Sequence, residues 1–249
     1  MTADLAGRVV LVTGGTRGLG RGIADAYRAA GAAVVTCGRT APAEHVADFV
    51  ACDVRDAASV AELVREVVVR HGRLDVVVNN AGGSPSADAA TVSPRFVEKV
   101  VGLNLLAPFY VAQVANSLMQ DQPDGGVILN IGSVAALRPA PGTSAYAAAK
   151  AGLAVLTRGL ALEWAPKVRV NTVSPGLVRT ESATYGDDPS HVERTIPMGR
   201  LAEPSDIAAA CLFLSRPEAA FISGADLVVD GGGEIPAFHT ALNPGAPVA

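Results

Sequence analysis

The sequence predicts an α/β fold, a doubly wound parallel sheet of about seven strands with helices on both faces. Short β-branched, apolar runs alternate with longer stretches of helical periodicity along the chain. The runs are apolar throughout instead of alternating with polar residues, as strands buried on both faces must be. A glycine-rich turn lies between the first run and the first helical stretch, where open sheets of this kind bind ligands.

The first strand is expected at 9–13 and the first helix at 17–30. In that helix Leu19, Ile23, Tyr27 and Ala30 form one stripe, and Gly31 stands just past the C-terminus. Strands follow at 33–36 and 49–52, then a helix at 57–71 that stops at Gly72. A strand at 74–78 leads to a long helix at 94–120, and a strand at 127–131 to a second long helix at 144–165. The last strands are expected at 168–173 and 227–229. Strand–helix–strand repetition with short links gives the doubly wound arrangement.

Residues 176–200 resist the pattern and read as a loop. The tail, 231–249, is rich in Pro, Gly and Ala, and mobility is expected at its end. No Pro/Gly/Ser linker divides the chain, so residues 1–249 read as one domain, with a lid at about 177–198 and a tail at about 234–249.

The chain has 249 residues, 49% hydrophobic and 18% charged, an ordinary globular composition with ample material for a core. A net charge of −4 argues against nucleic acid or an anionic membrane as the main partner. The N-terminal MTADLAGRVVLVTGG has no long apolar stretch of the signal-peptide kind, and no uninterrupted run of 18 apolar residues suggests a membrane span. Cys37, Cys52 and Cys211 are scattered without CxxC spacing, which reads as free thiols in a reducing cytoplasm. His45, His71, His191 and His239 show no metal spacing and read as surface or loop residues, so no metal site is expected. Asp187-Asp188 reads as a solvated loop tip.

TGGTRGLG, residues 13–20, follows the first strand and opens the first helix. Glycines permit a tight turn and close approach of backbone N–H groups to a pyrophosphate, and the helix N-terminus adds partial positive charge. Gly14, Thr16, Arg17, Gly18, Leu19 and Gly20 are therefore candidate cofactor contacts in a Rossmann-type fold. The second strand runs into Cys37-Gly38-Arg39, where a carboxylate would select the ribose 2′-OH of NAD(H). Arg39 stands there instead, suited to a 2′-phosphate, with Arg17 as a second cation. The sequence thus favours NADP(H), with NAD(H) as the alternative.

Ser133 follows the fifth strand, and Tyr146 and Lys150 share one helix face at i,i+4 spacing. These three suit proton transfer coupled to hydride transfer. A lysine ammonium beside a phenol favours the phenolate, so Lys150 is expected to draw the Tyr146 pKa down from about 10. Tyr146 then exchanges the proton, and Ser133 donates to the substrate oxygen.

On these residues the chain resembles the short-chain dehydrogenase/reductase family, in its 3-oxoacyl-reductase-like branch, over about residues 5–233. TGGTRGLG resembles its TGxxxGxG and Asn79-Asn80-Ala81-Gly82 its NNAG; Ser133, Tyr146 and Lys150 match Ser…YxxxK, Pro175-Gly176 its PG turn and VDGG (229–232) its last strand. Ser223-Gly224 stands where Thr-Gly is common, a small departure.

The resemblance implies that Asn104 is a fourth catalytic residue, holding a water beside the lysine; the residues alone favour a polar group bonding within its own helix. It implies that Asp53 bonds the adenine amino group, that Val54 covers the ring, and that Asn80, with Ala81 and Gly82, lies near the adenosine ribose. Lys150 would bond the nicotinamide ribose, Pro175, Gly176 and Val178 would border the nicotinamide, and Thr180 would lie near its phosphate. His191 and Tyr185, in a loop that in this family closes over substrate, are candidates for substrate contact, whereas Asp75 reads as structural.

The expected activity is NADP(H)-dependent interconversion of a ketone or 3-oxoacyl group and a secondary alcohol, on a small-molecule substrate. The rivals are an NAD-dependent alcohol or hydroxysteroid dehydrogenase, an enzyme of the same fold doing another reaction such as sugar epimerisation, and a non-enzymatic NADP(H) sensor; the intact catalytic set disfavours the sensor and the short C-terminal part the epimerase. The resemblance further implies a homo-oligomer, dimer or tetramer, joined through the two long helices.

Overall fold

Seven strands form one parallel sheet in the order β3-β2-β1-β4-β5-β6-β7. The structure, a computed structural model, describes residues 5–41, 48–181, 183, 185, 188–236 and 242. His45, Asp187, His239 and most of the expected tail lie outside the described residues.

The strands are β1 (Val9–Thr13), β2 (Ala33–Gly38), β3 (Phe49–Ala51), β4 (Val76–Asn79), β5 (Gly126–Ile131), β6 (Val168–Pro175) and β7 (Asp226–Val229). Alternate side chains of each strand enter opposite cores. Leu11, Val35, Val77 and Ile128 meet α2 (Ala57–His71), α4 (Ala107–Asp121) and α5 (Ser144–Trp164) on one face. Val10, Val34, Val76 and Leu129 meet α1 (Gly18–Ala29) and α7 (Pro204–Leu214) on the other. Both faces are therefore covered, which is why the strands carry no polar alternation.

β1 pairs with β2 on one side and β4 on the other, so the connections reverse direction at β1/β4. A crevice opens at such a switch point, at the carboxyl ends of the strands. The glycine turn leaves β1 there, and Asn80 to Gly82 leave β4.

Three features depart from the sequence reading. The long helix expected at 94–120 is α3 (Pro94–Val101), one π turn (Gly102–Leu106) and α4. This stretch, Pro94–Asp121, has the length of a bilayer-spanning helix and contains an 18-residue window of matching mean hydropathy, 1.2. Its residues Val111, Ala112, Ala115 and Met119 are nevertheless spent on the core. Second, α7 was not read from the sequence, although Pro204 stands at its first turn and Asp206 accepts from the Glu203 N–H at 2.8 Å, both start signals. Third, the loop of 176–200 holds a short helix, α6 (Ser190–Glu193).

β4 begins at Val76, two residues later than expected, because Asp75 is occupied at the sheet's rim. Its carboxylate accepts from the Val9 N–H at 2.8 Å and pairs with Arg8 and Arg73. Burial opposes its ionisation, but Arg73, the Val9 N–H and Arg8 outweigh that and hold its pKa below the ordinary value.

Candidate active site

The glycine turn is built for close backbone approach. Gly14 and Gly18 have φ of +63° and +51°, a region costly for side chains. A Cβ on Gly20 would strike the Gly14 carbonyl and the Asn80 amide. Asn80 fastens this turn, its Nδ2 donating to Thr13 O at 2.9 Å and Gly14 O at 3.2 Å. Thr13 Oγ1 accepts from the N–H groups of Asn80 and Ala81, both at 3.0 Å. The first residue of TGGTRGLG thus ties β1 to β4, a role not assigned from the sequence.

The α1 N-terminus accepts an anion. Its first turn has no acidic residue, and Arg17, at the N-cap, makes no side-chain cap. Gly18 N–H instead donates to Glu181 Oε2 at 3.0 Å, and the same carboxylate pairs with Arg21. That carboxylate stands in for an anionic oxygen such as a pyrophosphate's, so the turn fits the dinucleotide implied by the sequence. Thr180 lies over the turn, its Cβ 3.7 Å from where a Gly18 Cβ would be.

Arg39, just past β2, and Arg17 are both exposed and form no ion pair among the described residues. Asp53 follows β3 and is held by Arg55 through bonds of 2.9 and 2.6 Å. That pairing brings its pKa to about 2, and Arg39 adds a smaller electrostatic contribution. Both Asp53 oxygens thus accept from Arg55. Val54 is buried beside it.

Ser133, Tyr146 and Lys150 converge at the carboxyl end of β5. Ser133 caps a 3₁₀ turn (Val134–Ala136), its Oγ accepting from the Ala135 N–H at 3.1 Å. Its hydroxyl lies near that of Tyr146. The Lys150 ammonium, 4% exposed, donates to the Ile131 carbonyl at 2.7 Å and lies 5.7 Å from the Tyr146 ring centroid. Burial lowers its pKa to about 8. Burial raises the Tyr146 pKa, and the Ser133 hydroxyl offsets part of that rise. The expected lowering of Tyr146 by Lys150 is therefore not met here: desolvation dominates the phenol, and the ammonium is spent on a carbonyl.

Asn104, fully buried, sits in the π turn. Its Oδ1 accepts from the Gly83 N–H at 2.9 Å, and its Nδ2 donates to Gly83 O at 3.0 Å and Val100 O at 2.9 Å. The amide thus bonds within its own helix and also clamps the strand end beside Lys150. A Cβ on Gly82 would come 2.8 Å from Asn104 Oδ1 and 3.4 Å from Lys150 Nζ, so only glycine fits between them.

Deeper, Asn79 Nδ2 donates to Asn130 Oδ1, Asn130 Nδ2 to Thr157 Oγ1, and Thr172 Oγ1 to Thr157 Oγ1, each at 2.9 Å. This buried ladder joins β4, β5 and β6 to α5 beneath Ser133, Tyr146 and Lys150. The sequence reading missed it because its members sit singly inside apolar runs.

On the substrate side a cavity of about 260 Å³ is bordered by Tyr146, Val92, Phe96, Val97 and Ser144, with no charged residue in its lining. Pro175 ends β6, Gly176 N–H donates to Val229 O at 3.0 Å, and Val178 bridges to Ala202. Tyr185 OH donates to Val178 O at 3.0 Å, so its hydroxyl braces the loop. His191 is exposed beside Arg194 and Asp188. Among the described residues no group of three His, Cys, Asp or Glu side chains could hold a metal.

A family model described as Enoyl-(Acyl carrier protein) reductase matches residues 14–234. The chain is a short-chain dehydrogenase/reductase. It is 39% identical to D-threitol dehydrogenase of Mycolicibacterium smegmatis, over 92% of this chain and 93% of that one. It is 35% identical to the NADP-dependent (R)-specific alcohol dehydrogenase of Lentilactobacillus kefiri, over 93% and 98%. The ligand-free aldohexose dehydrogenase of Thermoplasma acidophilum superposes with a TM-score of 0.88 at 32% identity, covering 93% of this chain and 96% of that one. As a member of this family the chain is an oxidoreductase of alcohols and ketones, uses a nicotinamide dinucleotide and acts on small molecules.

Proposed function

We propose that this short-chain dehydrogenase/reductase uses NADP(H) to reduce a ketone or 3-oxoacyl group to a secondary alcohol, or runs the reverse. The observation that carries the reading is the buried Lys150 ammonium beside the Tyr146 ring, with the Ser133 hydroxyl near the phenol. The dinucleotide supplies the hydride when bound; the turn at 13–20, Asn80 and Lys150 are the residues that would hold it. Ser133 Oγ already accepts from Ala135, so its O–H is free to donate to the substrate oxygen. Tyr146, whose burial keeps its proton on at neutral pH, gives that proton to the same oxygen as its carbon is reduced. Lys150 is the cation next to this proton, and Asn104 fixes the wall behind it and anchors the implied relay water.

NADP(H) is supported by Arg39 and by the lack of a carboxylate at the end of β2. The uncharged cavity beside Tyr146 supports a neutral substituent on the substrate. Val155 and Leu162, exposed on α5 at 59% and 83%, support a homo-oligomer through the long helices. The buried free thiols of Cys37, Cys52 and Cys211 agree with a reducing cytoplasm.

The test is turnover with NADPH and NADH against small ketones, 3-oxoacyl thioesters, polyols and enoyl thioesters. NADPH-dependent reduction of ketones or 3-oxoacyl thioesters is expected. Turnover of enoyl thioesters alone would replace this reading with carbon–carbon double-bond reduction.

A further inference from the structure

The Glu181 carboxylate occupies the donor that a cofactor pyrophosphate would need. It takes the Gly18 N–H at 3.0 Å and completes its other side on Arg21, one turn further along α1. Among the described residues no other side chain caps this helix end: Arg17 offers no cap and the first turn carries no acid. Glu181 lies six residues past the end of β6. Two residues before it, Arg179 is fixed to Glu193 and Glu203, and Thr180 rests over the turn. The carboxylate is thus delivered by a braced segment.

From this geometry we infer that Glu181 is an internal competitor for the cofactor's diphosphate and sets cofactor affinity. Two anions cannot share one N–H, and at this distance they repel. Binding of either dinucleotide must expel Glu181 from Gly18 and release Arg21. The contact stabilises the protein without cofactor and weakens cofactor binding. Those opposite signs separate it from a surface ion pair that merely braces the loop, whose removal would not tighten binding. The inference rests on the dinucleotide reading above.

The experiment measures dissociation constants of NADP⁺, NAD⁺ and inorganic pyrophosphate by calorimetry for wild type, Glu181→Ala and Glu181→Gln, with melting curves of each protein without ligand. Glu181→Ala is expected to bind both dinucleotides and pyrophosphate about three- to fivefold more tightly, the scale of a charge at an exposed helix N-terminus. Its ligand-free melting temperature is expected to fall, and Glu181→Gln, which keeps shape without charge, to lie between. Affinities within twofold of wild type, or weaker, overturn the inference and leave the function standing. Absence of dinucleotide binding by all three proteins overturns the function and the inference together.

Discussion

The Lys150 ammonium is held between the Ile131 carbonyl, at 2.7 Å, and the Tyr146 ring, whose centroid is 5.7 Å away. Among the described residues no carboxylate shares that space, and burial takes its pKa from 10.5 to about 8. A buried base with a lowered pKa costs the folded state stability at neutral pH, on the order of 3 kcal/mol for such a shift. Lys150→Met is therefore expected to raise stability at pH 7 by about 1–3 kcal/mol while abolishing turnover. From pH 8 to 10.5 the unfolded chain holds a proton that the folded one has released, so wild-type stability climbs and the variant's advantage shrinks. Denaturant titrations at pH 7 and pH 10 measure this; an advantage that stays constant would contradict it.

Tyr146→Phe removes the proton donor and is expected to lower kcat by about 10²–10⁴-fold. Ser133→Ala removes one oxygen ligand, with an expected loss of about 10²–10³-fold. Cofactor binding should be nearly unchanged in both. Near-wild-type turnover by Tyr146→Phe would remove it from the proton path.

Arg39→Asp exchanges a cation for an anion where a 2′-phosphate would lie. The ratio of kcat/KM for NADPH over NADH is expected to fall by about 10–100-fold. Initial rates with both cofactors decide it, and a wild-type preference for NADH that ignores the substitution would refute the charge argument.

Gly20→Ala puts a methyl group against the Gly14 carbonyl and the Asn80 amide. A destabilisation of about 1–3 kcal/mol is expected, together with weakened dinucleotide binding. Gly159→Ala, in α5 with open space around it, is the matched control and should cost nothing.

Asp75→Asn keeps the shape of the β1–β4 junction and removes the charge that holds Arg8 and Arg73. A loss of about 1–3 kcal/mol is expected at pH 7, since both arginines are partly exposed. The wild-type carboxyl has a lowered pKa, so this contribution is full above about pH 4 and fades as pH falls through the folded value. The gap between the two proteins in acid unfolding should close accordingly.

The layers and the convergence of Ser133, Tyr146 and Lys150 were legible because each left a local trace. Buried strands read as unbroken apolar runs such as Val9–Thr13, and the i,i+4 spacing of Tyr146 and Lys150 placed both on one face. What depends on distant partners was not legible. Glu181 meets Gly18 across 163 positions, and the electrostatics of Lys150 follow from which carbonyl it reaches. The π turn was hidden for another reason: Gly102-Leu103-Asn104 fits a helical pattern equally well, and the Gly83 partner of Asn104 lies 21 residues away.

That wider turn makes the helix from Pro94 to Asp121 sensitive to insertion and deletion in a way point substitution cannot mimic. Each residue advances an α-helix by about 100°. Losing one residue from Gly102–Leu106 would restore regular winding, yet swing Val111, Ala115 and Met119 away from the sheet or carry Asn104 off Gly83. The count of residues between these two attachments is therefore constrained by geometry, separately from their identities.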